Sequence, residues 1–190
     1  MNIVVAACKN RGIGMNNKLP WNIKNEMQYF KQLTIGNGNN AVVMGKNTWL
    51  SLKKPLPKRS NFILSKTLQK NDVNGNATIL KNINDIDILY DTNKFDNIWI
   101  IGGEVLYKSM VYNSKLNGIF YTNIENYYDC DTFFPVIPNN FSLTYTSKNK
   151  VDETNTLEYN YNIYQNIHNY NDEKKNIALI RKTQNIIYKS

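Results

Sequence analysis

Asn97-Ile98-Trp99-Ile100-Ile101-Gly102-Gly103 is the stretch on which the fold turns. A short, β-branched apolar run closed by glycines reads as a central strand buried on both faces, and the helical segment behind it carries Val105, Leu106 and Met110. The same order recurs upstream, where Ala41-Val42-Val43-Met44 runs into Gly45-Lys46-Asn47-Thr48. Residues 3–8 form another such run, followed by the turn residues Asn10 and Gly12. Pro55 and Pro57 break the chain before expected strands at 61–65 and 77–80, and a helix is expected over 84–90. Strands at 118–122, 141–147 and 157–165 close the chain. Early strands alternating with helices, then a strand-rich end, predict a single-domain α/β fold. Its central sheet is mostly parallel and eight-stranded, with an antiparallel C-terminal edge strand and flanking helices.

A chain of 190 residues with 42% hydrophobic content suits one compact core. Its net charge of +8 comes from scattered residues. The densest groups, Lys53-Lys54 with Lys58-Arg59 and Lys174-Lys175 with Arg181-Lys182, lie apart and are not interleaved with aromatics. They predict a solvated basic surface able to attract small anions, and no nucleic-acid face. Cys8 and Cys130 show neither CxxC nor Cys/His spacing, so both read as free thiols, with no disulfide and no metal site expected. No apolar run approaches the roughly 20 residues needed to span a bilayer, and the N-terminal stretch lacks signal-peptide character, which predicts a cytoplasmic protein. Abundant asparagine is interrupted throughout by apolar strands and reads as compositional bias.

Over 24–34, Met27, Phe30 and Leu33 recur at helical spacing, and Glu26 stands one turn before Phe30. Taken alone, Glu26 reads as a solvated first-turn glutamate favoured by the helix dipole. The alternative is a partly buried carboxyl whose raised pKa suits proton delivery beside an apolar slot. Its surroundings favour the second. Gly12-Ile13-Gly14, Leu19-Pro20-Trp21, Glu26, Phe30-Lys31 and Met44-Gly45-Lys46-Asn47-Thr48-Trp49 follow in order. After them come Leu56-Pro57-Lys58-Arg59-Ser60-Asn61, Ile63-Leu64-Ser65, Ile100-Ile101-Gly102-Gly103 with Tyr107, and Tyr121-Thr122 with Asp131-Thr132-Phe133-Phe134-Pro135. This ordered set resembles the dihydrofolate reductase family over roughly residues 2–165.

The resemblance implies reduction of 7,8-dihydrofolate to tetrahydrofolate, with hydride passing from NADPH to C6 and a proton to N5, in support of one-carbon metabolism and thymidylate synthesis. Glu26, Thr122 and Trp21 would be catalytic: the carboxylate meets the pterin's amidine edge, Thr122 bridges to it, and Trp21 helps hold a water. Val5, Ala6, Met27, Phe30, Leu52, Leu56, Ile101 and Tyr107 would surround the pterin and aminobenzoyl rings. Arg59 would fork onto the α-carboxylate of the glutamyl tail. Ala7, Ile13, Gly14 and Leu19 would flank the nicotinamide, the loop 9–23 acting as a lid. Gly45, Lys46, Asn47, Thr48, Gly102, Gly103, Glu104, Val105 and Leu106 would carry the dinucleotide on two strand-to-helix turns, with free amides for phosphate oxygens. Leu64, Ser65, Lys66 and Lys81 would complete its adenosine end, Ser65 and Lys66 with Lys46 taking the 2′-phosphate. The family also implies a cis Gly102-Gly103 peptide, binding of antifolates and a monomer. A riboflavin-pathway pyrimidine reductase shares fold and cofactor use, but Trp21, Glu26 and Arg59 together favour folate. A basic RNA-binding protein on a reductase fold is the rival of another class. The reductase domain is expected over 1–168. Beyond it, 169–190 is an extension, possible as a short helix because Ile177, Ile180 and Ile187 fall near one face. It can dock or fray, and fraying is the expectation.

Overall fold

The computed structural model describes residues 1–52, 54–73, 75, 77–169 and 173–189, with the backbone alone at 173–176 and 189. Lys53, part of one basic concentration, and residues 170–172 and 190 of the extension lie outside the described residues. The elements run β1 (Asn2–Cys8), β2 (Gly12–Gly14), α1 (Lys24–Ile35), β3 (Ala41–Gly45), α2 (Lys46–Ser51), β4 (Ser60–Leu64), β5 (Ala77–Leu80), α3 (Asn84–Asp91), β6 (Ile98–Ile100) and α4 (Glu104–Met110). They continue with β7 (Gly118–Ile124), β8 (Thr132–Phe133), β9 (Phe141–Thr146), β10 (Lys150–Val151), β11 (Glu158–Asn166) and α5 (Glu173–Lys189).

The main sheet has the order β10-β11-β7-β1-β6-β3-β4-β5, with β9 also paired to β11. From β7 through β5 every pairing is parallel, while β11 runs antiparallel to β7, β9 and β10. The mostly parallel sheet with an antiparallel C-terminal side therefore stands as expected. β11 itself is internal; its outer edge is shared by β9 and β10, because β9 ends in time for the chain to return along the same strand.

Side-chain alternation explains the two cores. Ile3, Val5 and Ala7 of β1, Ala41 and Val43 of β3, and Ile98 and Ile100 of β6 share one face with Ile86 of α3 and Leu106, Tyr107 and Met110 of α4. Val4 and Cys8, Val42 and Met44, and Trp99 point the other way, onto Tyr29 and Leu33 of α1, Trp49 of α2 and Ile187 of α5. Covered on both faces, the strands are apolar without polar alternation.

Three expectations change. The extension is not frayed: α5 is a 17-residue helix packed on α1, with Thr183 and Ile187 fully buried and Lys182 Nζ donating to Asn37 Oδ1 at 2.7 Å. Ile187 anchors it, whereas Ile177 is exposed. Helix α1 buries Glu26, Tyr29, Leu33 and Thr34, while Met27 is 49% exposed. Each residue turns a helix by about 100°, so a stripe centred on Tyr29 leaves Met27 outside it. Finally, β2, β8 and β10 were not foreseen, since pairings of two or three residues carry too little periodicity to be read.

Candidate active site

The carboxyl ends of β1, β3, β4 and β6, with the middle of β7, gather most of the candidate residues along one edge of the parallel sheet, where such sheets open into a crevice. Ala6 on β1 pairs with Thr122 on β7. Thr122 Oγ1 lies 3.5 Å from Glu26 Oε1, so the acid on α1 meets the sheet at this point. Glu26 is 4% exposed, and no cation pairs with it among the described residues. Burial pushes its carboxyl up from 4.5 to about 7, with the Thr122 hydroxyl pulling modestly the other way. Behind it Tyr29 is stacked on Tyr161, ring centroids 4.2 Å apart, and Tyr107 donates to the Val4 carbonyl at 2.8 Å. Both phenols are raised well above their ordinary range, by burial first; the Glu26 charge adds to each. The acid is thus walled by groups that stay neutral.

Ala6, Phe30, Leu52, Leu56 and Ile101 pack on the same apolar cluster and remain only half-buried, leaving apolar surface toward the crevice. Val5, Ala7 and Leu106 have their side chains in the opposite core, so these three offer a ligand their main chain alone. Trp21 is buried against Tyr128 at 5.6 Å, and among the described residues nothing accepts from its indole N–H.

At the far end of the apolar wall Arg59 is 9% exposed and has no carboxylate partner among the described residues. Its Nε donates to the Pro57 carbonyl at 3.1 Å, one terminal nitrogen donates to Thr34 Oγ1 at 2.7 Å, and the group lies 6.0 Å from the Phe30 ring centre. Burial lowers it to about 10. Thr34 and Asn61, which sequence reading missed, fix this geometry. Asn61 clamps the loop by donating to the carbonyls of Leu56 and Arg59 and accepting from the Leu56 amide. A polar residue at a position of strand or helix periodicity was the available signal.

The cofactor candidates form two adjacent turns, β3 to α2 and β6 to α4, joined by a hydrogen bond from the Gly45 amide to the Gly102 carbonyl at 2.7 Å. The cis Gly102-Gly103 peptide is present. Gly102 has φ +125°, and a Cβ on it or on Gly103 would fall 3.2 Å from Thr48 Oγ1. Glycine therefore leaves bare backbone for close approach. Neither turn is capped by a side chain, so the first amides of α2 and α4 stay open. Lys46 Nζ donates to Thr67 Oγ1 at 3.0 Å beside Ser65, whose hydroxyl accepts from the Thr67 and Leu68 amides. Thr67 is a further member that sequence reading missed. Leu64 is half-buried and Asn47 and Lys66 are exposed nearby in the chain, while Lys81 Nζ is spent on the Leu68 carbonyl. On α4, Glu104 is tied to Lys108 at 2.6 Å and Val105 stands in solvent. On the lid Leu19 is exposed, Ile13 half-buried and Gly14 buried. This set fits a phosphate-bearing dinucleotide: bare main chain for the pyrophosphate, an ammonium and two hydroxyls for a further phosphate.

A proton donor held beside a seat for an anionic dinucleotide is the working arrangement of a nucleotide-dependent reductase, and that is the class. Residues 1–166 match the family model "Dihydrofolate reductase". The chain is 37% identical over 175 residues to a dihydrofolate reductase of Drosophila melanogaster, covering 86% of this chain and 96% of that protein. It is 34% identical over 181 residues to one of Gallus gallus, covering 87% and 95%, and 36% identical over 185 residues to a viral one of Saimiriine herpesvirus 2, covering 89% and 86%. The chain belongs to the dihydrofolate reductase family. It is an NADPH-dependent reductase of dihydrofolate.

Proposed function

We propose that Glu26, Thr122 and Arg59 divide the handling of dihydrofolate between them. The observation that carries this is a buried carboxyl with no cation partner among the described residues, pushed to about 7, with Thr122 at 3.5 Å. NADPH, when bound, supplies the hydride that goes to C6 of the pterin. Glu26 takes the amidine edge, where its two oxygens match two N–H donors, and controls protonation at N5. Thr122 orients the carboxyl, and Trp21 closes the site from the lid side with its indole N–H free for a bridging water. Ala6, Met27, Phe30, Leu52, Leu56 and Ile101 hold the rings, with main chain from Val5 and support from Tyr107. Arg59, a buried guanidinium that meets no carboxylate among the described residues, takes the glutamyl α-carboxylate with its remaining donors.

For NADPH, Gly45 to Thr48 and Gly102 to Leu106 hold the pyrophosphate, while Lys46 and Ser65, with Lys66 and Lys81 as outer cations, favour the 2′-phosphate. Ala7, Ile13, Gly14 and Leu19 keep water from the nicotinamide. Residues 1–168 are the reductase domain and 169–190 an appended segment. The protein works as a cytoplasmic monomer, takes antifolates in the pterin slot and does not act on nucleic acid; no helix among the described residues is long and apolar enough to cross a membrane.

The test is NADPH oxidation with dihydrofolate across pH, for the wild type and Glu26→Gln. Turnover is expected to decline as pH rises through about 7 in the wild type and to collapse in the variant. A variant that keeps both rate and pH profile removes Glu26 from the mechanism.

A further inference from the structure

Where β1 ends and the chain enters β8, two sulfurs meet that the reduction of dihydrofolate leaves idle. Cys8 is buried and Cys130 half-buried, both free thiols. The Cys8 thiol donates to Asn10 Oδ1 at 2.8 Å and reaches the Gly12 carbonyl at 3.4 Å. Gly12 is wedged between the two thiols: a Cβ there would stand 3.0 Å from Cys8 Sγ and closer still to Cys130 Sγ and Cβ. One methyl group would touch both sulfurs, so they share a single small space. Sequence spacing gives no hint of this, because 8 and 130 meet only through the pairing of β1 with β7 and of β2 with β8.

The segment that carries Cys130 also fastens the lid. The Asp131 amide donates to the Gly14 carbonyl at 3.0 Å, Thr132 Oγ1 donates to the same carbonyl at 3.2 Å, and the Asp131 carboxylate accepts from the Asn16 amide at 2.8 Å. These bonds join residues 130–132 to the loop that flanks the nicotinamide seat. Cys8 belongs to the rigid central strand.

We infer that Cys8 and Cys130 form an oxidisable dithiol, a modification site for low-molecular-weight disulfides, and that its closure ties the lid to the body of the enzyme. Cys130, the more exposed thiol, loses its proton to solvent and attacks one sulfur of the external disulfide. The external S–S bond breaks, a Cys130 mixed disulfide forms, and one thiolate leaves and takes up a proton. Cys8, deprotonated in turn, attacks the Cys130 sulfur; the mixed disulfide breaks, the Cys8–Cys130 bond forms and the second thiolate leaves. Two protein thiols are oxidised, and one external disulfide is reduced to two thiols. Burial, the Cys8 thiol and the Asp131 charge push Cys130 up to about 11, so the pair reacts slowly at neutral pH and needs excess oxidant.

The test incubates the full-length protein with excess glutathione disulfide and follows intact mass, thiol titration of the unfolded product, and turnover. Expected are loss of both thiols with a mass deficit of two hydrogens and a severalfold fall in turnover, both reversed by dithiothreitol. Cys130→Ser is expected to keep basal turnover and to resist the oxidant; Cys130→Ala serves the same purpose should serine disturb the packing. Three results overturn the inference: a stable glutathione adduct on Cys130, two thiols that stay free, or a bridged enzyme that turns over like the reduced one. Bridging is read by mass without a turnover assay, so its failure leaves the roles of Glu26 and Arg59 untouched.

Discussion

Helices α1 and α5 lie against each other on one face of the sheet and bury a threonine in the same way: Thr34 donates to the Phe30 carbonyl at 2.7 Å and Thr183 to the Leu179 carbonyl at 2.8 Å. There the likeness ends. Helix α5 buries Ile187, and its polar reach to the neighbouring body, from Lys182 to Asn37, lies at the exposed surface. Helix α1 buries a carboxyl that no cation among the described residues pairs with, and its threonine carries a second bond, from a buried guanidinium that meets no carboxylate among those residues. One helix holds chemistry at a cost in stability; its neighbour supplies ordinary apolar burial that offsets part of it. Changing equivalent features on the two helices separates these roles.

The largest effect belongs to Glu26. Glu26→Gln keeps the shape and removes the proton, and turnover is expected to fall about 10²–10⁴-fold. The same variant reports the cost of the acid. Folding raises the carboxyl from 4.5 to about 7, so between those values the folded protein keeps a proton that the unfolded chain has lost. The group is harmless to stability below about pH 4.5, and the penalty grows as pH rises, reaching about 3 kcal/mol above pH 7. Urea unfolding is therefore expected to find Glu26→Gln more stable than the wild type at pH 8, with the gap narrowing by pH 5.5. A gap that does not change with pH would mean that folding leaves the Glu26 carboxyl unshifted, and that burial does not set the acid.

On the other helix, Ile187→Ala is expected to cost about 2–4 kcal/mol in the same unfolding experiment, through lost burial and the cavity left behind. KM for dihydrofolate and the pH dependence of turnover are expected to stay as they were. A shifted pH profile would erase the distinction, making α5 part of the catalytic setting.

The contrast also marks what the sequence could tell. The parallel strands were legible because burial on both faces leaves continuous apolar runs such as Ile98-Trp99-Ile100, and the site was legible where residue order carries a family's pattern. The sequence specifies helix α1 but leaves its buried stripe ambiguous by one residue. Met27, Phe30 and Leu33 satisfy helical spacing as well as Glu26, Tyr29 and Leu33 do, and only the neighbouring β11 tyrosines decide between them. Helix α5 was read as fraying because its apolar face has no partner in the chain nearby; the partner is α1, about 150 residues earlier by their numbering. Thr34 and Thr67 act through hydrogen bonds to residues more than 20 positions away, and Asn61 through bonds within its own loop, so their partners leave no mark in the residue pattern.

A middle-sized effect tests the far end of the α1 wall. Arg59→Lys keeps the charge and loses the fork, and KM for dihydrofolate is expected to rise about 10–100-fold with kcat far less changed, since the glutamyl tail is remote from N5. An equal fall in kcat would move Arg59 from binding the tail to organising the transition state.

The smallest effects come from the matched threonines and cut most finely. Valine at either position keeps the volume and deletes the hydroxyl. At Thr183 the loss is a back-bond to a carbonyl already held in its helix, and the change is expected to stay within about 1 kcal/mol with no kinetic trace. At Thr34 the same change strips a buried guanidinium of an acceptor at 2.7 Å, which is expected to cost about 1–2 kcal/mol and to raise KM for dihydrofolate severalfold. Combining Thr34→Val with Arg59→Lys gives the decisive number. If Thr34 acts only by aiming Arg59, the double variant's KM matches that of Arg59→Lys alone; if the two effects multiply, Thr34 contributes to the site independently of the arginine.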